Sequence, residues 1–265
     1  MFAIRSVAAV ALATAWPMLS FAQDAEEMAK KLSNPVASLI SVPFQFNHDR
    51  SIGSADGNRS FINVQPVIPV KLNAEWNLIS RTIVPLIDQK NVAGASGNQS
   101  GLGDVVQSVF FSPVAPTAGG LIWGAGPVLL LPTATKDLLG AKKWGLGPTG
   151  VVLSQSGPWT FGALGNHIWS IAGDNDRADI STTFVQPFVS YATKTGTSFG
   201  LNTESTYDWK AKQWSVPINA TVSQILKLGD QLVQVGAGAR YWADAPSGGP
   251  SGWGYRLSFT LLFPK

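Results

Sequence analysis

Three arginines, two carboxylates and two asparagines are the residues of this chain best placed to do chemistry. A strand sends successive side chains to opposite sides, so parity sorts them. Asn77 and Arg81 share a side, opposite Trp76, Leu78 and Val84. Asn202, Glu204, Thr206 and Asp208 share another, opposite Phe199, Leu201 and Tyr207. Arg240 goes with Gln234, Gly236 and Gly238, and Arg256 with Ser258, each against an aromatic and aliphatic side. An arginine facing lipid at mid-depth costs about 2–4 kcal/mol, so these groups are expected to look into a watery lumen. There they could recognise charge. Arg81 would stand on one wall, Glu204 and Asp208 on the opposite one, and Arg240 with Arg256 above them, as in pore constrictions. The alternative is that they pair with one another and only satisfy a polar interior.

Other chemistries are poorly supplied. His48 sits beside Asp49 and Arg50 at the end of a strand. His167 shares parity with Trp159, Phe161 and Trp169 and is expected to face lipid near an interface. A lipid-facing histidine beside a serine is an arrangement for acyl hydrolysis. Ser170 and Asn166 are close in sequence, but Asn166 has the wrong parity, and no serine lies in a hydrolase motif. The glycines of SGLGD lack the Lys-Ser/Thr of a phosphate loop. GDNDRAD lacks the closing glutamate of a calcium loop. No catalytic residue, metal site or cofactor is expected.

The elements that must position these residues are strands. The closing run WGYRLSFTLLF alternates aromatic and aliphatic residues with small or polar ones over about ten residues, the length of a tilted membrane strand. Twelve such runs are expected, at 38–48, 59–71, 75–87, 103–113, 120–131, 147–156, 158–170, 180–193, 197–209, 213–226, 231–243 and 253–263. Connections after even-numbered runs are short. Those after odd-numbered runs are long and Gly-rich or polar, as in DRSIGSADGN and APSGGPSG, except around Lys210–Lys212. Short turns on one rim and long loops on the other belong to an up-and-down membrane barrel. The soluble alternative, a β-sandwich, gives no reason for this. Trp76, Trp159 and Trp253 near strand starts, and Trp169, Trp209, Trp214 and Trp242 near the long-loop rim, predict two aromatic girdles. Pro43, Pro66, Pro69, Pro85, Pro127, Pro187 and Pro217 fall inside the runs. A proline has no N–H for the ladder, so bulges or broken pairing are expected there.

Composition agrees with an all-β membrane barrel. Of 265 residues 13% are charged, against about 25% in ordinary domains, and there are ten tryptophans and 27 glycines. There is no cysteine, so no disulfide framework. Residues 1–22 have the Arg5 n-region, apolar stretch and Ser20-Phe21-Ala22 site of a signal peptide. Without them the chain carries 18 basic and 16 acidic residues, a balance that does not call for nucleic acid. Residues 23–37 are expected as a segment before the barrel with a short exposed helix, carrying Glu26/Lys30 and Glu27/Lys31 pairs. A tether is the plainer expectation, and a plug inside the lumen the alternative. Residues 38–265 form the expected barrel.

Stretches such as NPVASLISVPFQFN, VQPVIPVKLNAEWNLISRTIVPLI, KWGLGPTGVVL, ESTYDWKAKQWSVPIN and GARYWADAPSGGP resemble a bacterial outer-membrane family labelled MetA-pathway of phenol degradation, a generic transporter family. The resemblance covers about 230 residues. It implies an outer-membrane barrel with a transport role and brings no established substrate, a hydrophobic or aromatic solute following by association alone; the polar, narrow lumen is the reading from parity and strand number. It brings no catalytic residues. A closed structural or surface-interaction barrel is the alternative, and a lipid hydrolase a lesser one. The implied partners are outer-membrane lipid and lipopolysaccharide, the barrel assembly machinery and the solute. One departure is that Pro264 and Lys265 follow the last aromatic residue, Phe263.

Overall fold

The computed structural model describes residues 25–264; the expected signal peptide lies outside the described residues. Twelve spanning strands appear where the alternation placed them. They are β1 (Ile40–Ile52), β2 (Gly57–Val64 with Val67–Lys71), β3 (Trp76–Lys90) and β4 (Asn98–Leu102 with Val105–Pro113). Then come β5 (Leu121–Leu131), β6 (Lys143–Ser156), β7 (Trp159–Gly173) and β8 (Ser181–Ala192). The last four are β9 (Thr197–Thr203 with Ser205–Asp208), β10 (Gln213–Leu228), β11 (Gln231–Asp244) and β12 (Gly252–Phe263). Each pairs antiparallel with the next, and β12 pairs with β1, so the sheet closes and has no edge.

The apolar parity looks outward. Phe161, Trp169, Phe199, Leu201, Leu257 and Phe259 are exposed in the absence of lipid, while Arg240 and Arg256 on the other parity are buried. That inversion of a soluble protein's surface makes the molecule a bilayer-spanning barrel of the outer-membrane class. Trp76 packs edge-on against Trp123, and Trp159 against Tyr191, at the short-turn end. Trp209, Tyr207 and Trp214 cluster at the long-loop end. Trp242 does not join that girdle. It points inward and donates to Asp49 at 3.0 Å.

The first connection is shorter than expected. β1 and β2 continue to Ile52 and Gly57, which leaves residues 53–56 as the turn. Polar residues suggested a loop, but they pair across the two strands instead. His48 meets Ser60 at 2.9 Å on the outer side, and Arg59 reaches Asp49 at 3.3 Å on the inner side.

The prolines break the ladder as anticipated. β2 is interrupted at Gln65-Pro66, where Gln65 N donates to Pro43 O at 2.8 Å and Thr82 N to Pro66 O at 3.1 Å. β4 is interrupted at Gly103-Asp104, where Gly103 N donates to Pro85 O at 2.8 Å. β9 is interrupted at Glu204, beside Pro217, where β10 also bulges against β11. Pro127 and Pro148 lie directly opposite each other on β5 and β6.

The N-terminal segment is not an exposed tether. A helix over residues 25–32 buries Ala25, Met28 and Ala29 against Ala192, Ile225, Leu39 and Leu262 inside the short-turn mouth. Lys30 O accepts from Gln155 Nε2 at 3.0 Å. The spacing of Ala25, Met28, Ala29 and Leu32 is one helical face, and the Glu26–Lys30 and Glu27–Lys31 pairs occupy the other. The charged pairs suggested a solvated helix, but they describe only half of it. After Asn34-Pro35 the chain runs on into the lumen, where Val36 packs with Ile79, Phe110, Val151, Leu153 and Leu164.

Close approach of β6 and β7 gives a test of the ring. A Cβ at Gly147 would meet the carbonyl oxygen of His167. Gly147→Val is expected to weaken the refolded barrel by about 1–3 kcal/mol through forced strand separation. The urea midpoint in detergent measures it; an unchanged midpoint would show that the two strands can part without loss.

Candidate functional site

The inward parity of β9 to β12, β1 and β2 assembles a charged layer. β12 places Arg256 inward, and its Nη1 and Nη2 donate to Glu204 Oε1 and Oε2 at 2.9 and 2.7 Å. This is a bidentate pair that spans from β12 to β9. Its Nε donates to Asn47 Oδ1 at 2.7 Å, and Arg240 Nη1 donates to the same oxygen at 3.2 Å. Arg240 also lies 3.4 Å from Asp49 and 3.8 Å from Glu204. Its guanidinium carbon stands 4.8 Å from the Trp242 ring and 5.9 Å from the Phe61 ring. Asn47 and Asp49 are completely buried. Charges in such a place persist only when paired and hydrogen-bonded, and the bidentate geometry meets that demand.

The ladder break positions the central carboxylate. Pro217 offers no N–H to Glu204, whose own N–H donates to Pro217 O at 3.3 Å. The interruption falls where a glutamate must reach across the lumen.

Of the expected site residues, Glu204, Arg240 and Arg256 come together directly. Arg81, on β3, stays apart, and its Nη2 donates to Gln65 Oε1 at 2.9 Å. The expected picture of Arg81 facing a free Glu204 is therefore changed: the arginine pair above has taken the carboxylate. Asn202 accepts from Asn219 Nδ2 at 2.9 Å beside this layer. Asn77 is buried near the short-turn end, with Ser38 Oγ at 3.5 Å. Asp208 does not reach the layer. Its Oδ1 accepts from the Lys210 and Ala211 amides at 2.8 and 3.0 Å and shapes the β9–β10 turn. Parity placed it inward, but a short side chain at a strand end satisfies its own turn first.

Asn47, Asp49, Arg59, Phe61 and Trp242 belong to the site and were missed. Asn47 and Asp49 alternate with Phe46 and His48 on β1, a parity signal present in the sequence; Asn47 lay within the expected strand, and Asp49 fell just beyond its expected end at residue 48. A second correction concerns the lumen, expected to be polar throughout. On β3 to β8 the inward side chains toward the short-turn end include Ile79, Phe110, Val151, Leu164 and Phe188, which form an apolar wall.

At the long-loop rim the segment after β5 folds over the lumen side. Gln89 Nε2 donates to Leu138 O at 3.1 Å, and Asp104 accepts from the Ala134 and Ala141 amides at 3.1 and 2.6 Å. Arg177 donates to the Asp137 and Gly140 carbonyls at 3.0 and 2.5 Å. On the outer face His167 Nδ1 meets Thr183 Oγ1 at 2.7 Å and its Nε2 lies 3.4 Å from Ser181 Oγ, among Trp169 and Trp209. Asn166 pairs with Phe184 on the lumen parity and gives His167 no orienting partner.

No family model matches the chain, and no curated protein matches it. Among solved structures it is similar to an outer membrane channel from Pseudomonas putida F1, with a TM-score of 0.66 at 16% identity, covering 85% of this chain and 96% of that one. It is also similar, more loosely, to the β domain of the Bordetella autotransporter BrkA, with a TM-score of 0.49 at 9% identity, covering 85% of this chain and 100% of that one. At 16% identity the likeness to the Pseudomonas channel is one of fold, the outer-membrane β-barrel.

Two measurements test the site. Glu204→Gln leaves Arg256 and Arg240 without their counter-charge, and is expected to cost about 3–5 kcal/mol of barrel stability. An unfolding midpoint equal to that of the unsubstituted chain would show that the layer is not held by this pair. At the rim, hydrogen bonding and charge from Lys142 hold the Asp137 carboxyl below its usual range, and Lys143, with Ser170, does so for Asp179. Such a lowered folded value adds order that is complete above the unfolded value and is lost as pH falls through the folded one. Hydrogen exchange over residues 133–142 is expected to accelerate, relative to its intrinsic rate, between neutral pH and about pH 3. Equal protection at both would remove these pairs as the loop's anchors.

Proposed function

We propose that this chain is an outer-membrane channel that passes a small solute along its lumen and is held closed at the short-turn end by its own residues 25–38. The observation that carries this reading is the way that segment fills the mouth. It lies inside the ring by apolar contact, yet takes no part in the strand ladder, so the barrel can lose it and stay closed as a sheet. A barrel serving only as structure has no need of a lumen lined on one side by arginine and amide groups. The resemblance to the phenol-degradation transporter family supports a hydrophobic or aromatic solute, and the apolar wall formed by Ile79, Phe110, Leu164 and Phe188 suits one.

Planar-bilayer current and liposome swelling test the reading. The chain lacking residues 25–38, refolded in detergent, is expected to conduct severalfold more than the chain that retains them. If neither form carried current or admitted solute, a closed structural barrel would replace the channel.

A further inference from the structure

Between the Arg256–Glu204 layer and the N-terminal segment the lumen holds a cavity of about 320 Å3. Its charged lining is unbalanced. Lys31, Arg81 and Arg256 face it, and no carboxylate does among the described residues. Two of these cations are already occupied. Arg256 gives both terminal nitrogens to Glu204 and its Nε to Asn47. Lys31 lies 2.6 Å from Glu27.

Arg81 is not occupied. A guanidinium carries five N–H donors, and among the described residues Arg81 has a single hydrogen bond, to the neutral amide of Gln65. Gln65 is itself turned toward Gln45 at 3.4 Å. The carboxylate nearest in character, Glu204, has spent both oxygens on Arg256. The cavity therefore contains one cation with an open fork of donors. Another part of its lining is apolar, with Leu39, Val67, Leu164 and Phe188.

The geometry points to a binding site for a small monocarboxylate with an apolar body. Its carboxylate takes two of the free N–H groups of Arg81, and its body lies against Leu164 and Phe188. One open guanidinium matches one negative charge, so a dianion such as phosphate is left half-paired. A cationic ligand meets the open Arg81 guanidinium and finds no carboxylate on the lining among the described residues. A neutral one leaves the Arg81 donors as they were. The cavity is at the small end of the range for ligand sites, which suits a single-ring acid. This inference rests on the channel reading, since it names the class of solute the closed lumen would hold.

Calorimetry on the full chain in an uncharged maltoside detergent tests it with benzoate, benzyl alcohol and benzylammonium. Benzoate is expected to bind about tenfold or more tightly than benzyl alcohol, and benzylammonium more weakly than either. Arg81→Gln is expected to erase the preference for benzoate, and Arg81→Lys to keep part of it. Equal binding of benzoate and benzyl alcohol by the unsubstituted chain would overturn the site, and needs no variant to fold. A preference that survived in Arg81→Gln would overturn it as well. Binding and flux are read separately. Benzoate bound at Arg81 without solute flux in liposomes supports the site and removes the channel; flux without any preference removes the site alone.

Discussion

Inside a membrane every backbone N–H and C=O must find its partner within the protein, and this single demand governs the rest of the structure. A closed ring of strands meets it everywhere except at proline, which has no N–H to give. Prolines near mid-strand thus force local departures from the ladder. Pro66, Pro85 and Pro217 each lie at or beside an interruption, in β2, β4 and β9. At the first interruption the backbone makes two replacement contacts with proline carbonyls and at each of the others one, and at Gln65 and Glu204 the residue at the break turns a long polar side chain into the lumen. The polar layer is thus coupled to the ladder defects. Glu204 stands beside a residue that cannot donate, and its carboxylate is then fixed by a guanidinium from three strands away.

That coupling divides the lumen. From β9 around to β2 the inward groups around the Arg256–Glu204 layer are charged or amide and closely paired, while at the short-turn end Ile225 and Leu262 meet the helix. From β3 to β8 the inward groups toward the short-turn end are apolar, and they meet Val36 of the N-terminal segment rather than water. A wall of two characters explains why Arg81 is left apart. It stands on β3, hydrogen-bonded to Gln65 rather than to Glu204, and close to the apolar wall. It has an amide for company where Arg240 and Arg256 have carboxylates.

The barrel was legible because its cause is local. Parity within each run, and the alternation of short and long connections, are carried by neighbouring residues, and all twelve strands fell where they indicated. Proline positions announced the breaks for the same reason. Across the lumen, legibility stopped. Parity could place Glu204 and Arg256 inward, but which cation reaches the carboxylate depends on ring size and side-chain length together. Asp208 shows the limit on its own strand, where a nearby turn outcompeted a distant charge. The helix was misjudged because its paired Glu and Lys residues are conspicuous, whereas Ala25, Met28, Ala29 and Leu32 form a face of modest apolarity.

The modesty of that face matters for how the molecule would work. Two of its four residues are alanines, so the helix gains little from burial compared with a strand built into the ring. Beyond apolar contact its ties to the wall are few, chiefly Gln155 to the Lys30 carbonyl and the long contact of Asn77 with Ser38. The Arg256–Glu204 layer is the reverse. It is deeply buried and bidentate, and it is costly to separate, because parting it leaves two naked charges in a confined space. Of the two obstructions in the lumen, the segment at the short-turn end is therefore the one built to move. The charged layer is the one built to remain, and in the channel proposed above a solute would pass beside it, along the apolar wall.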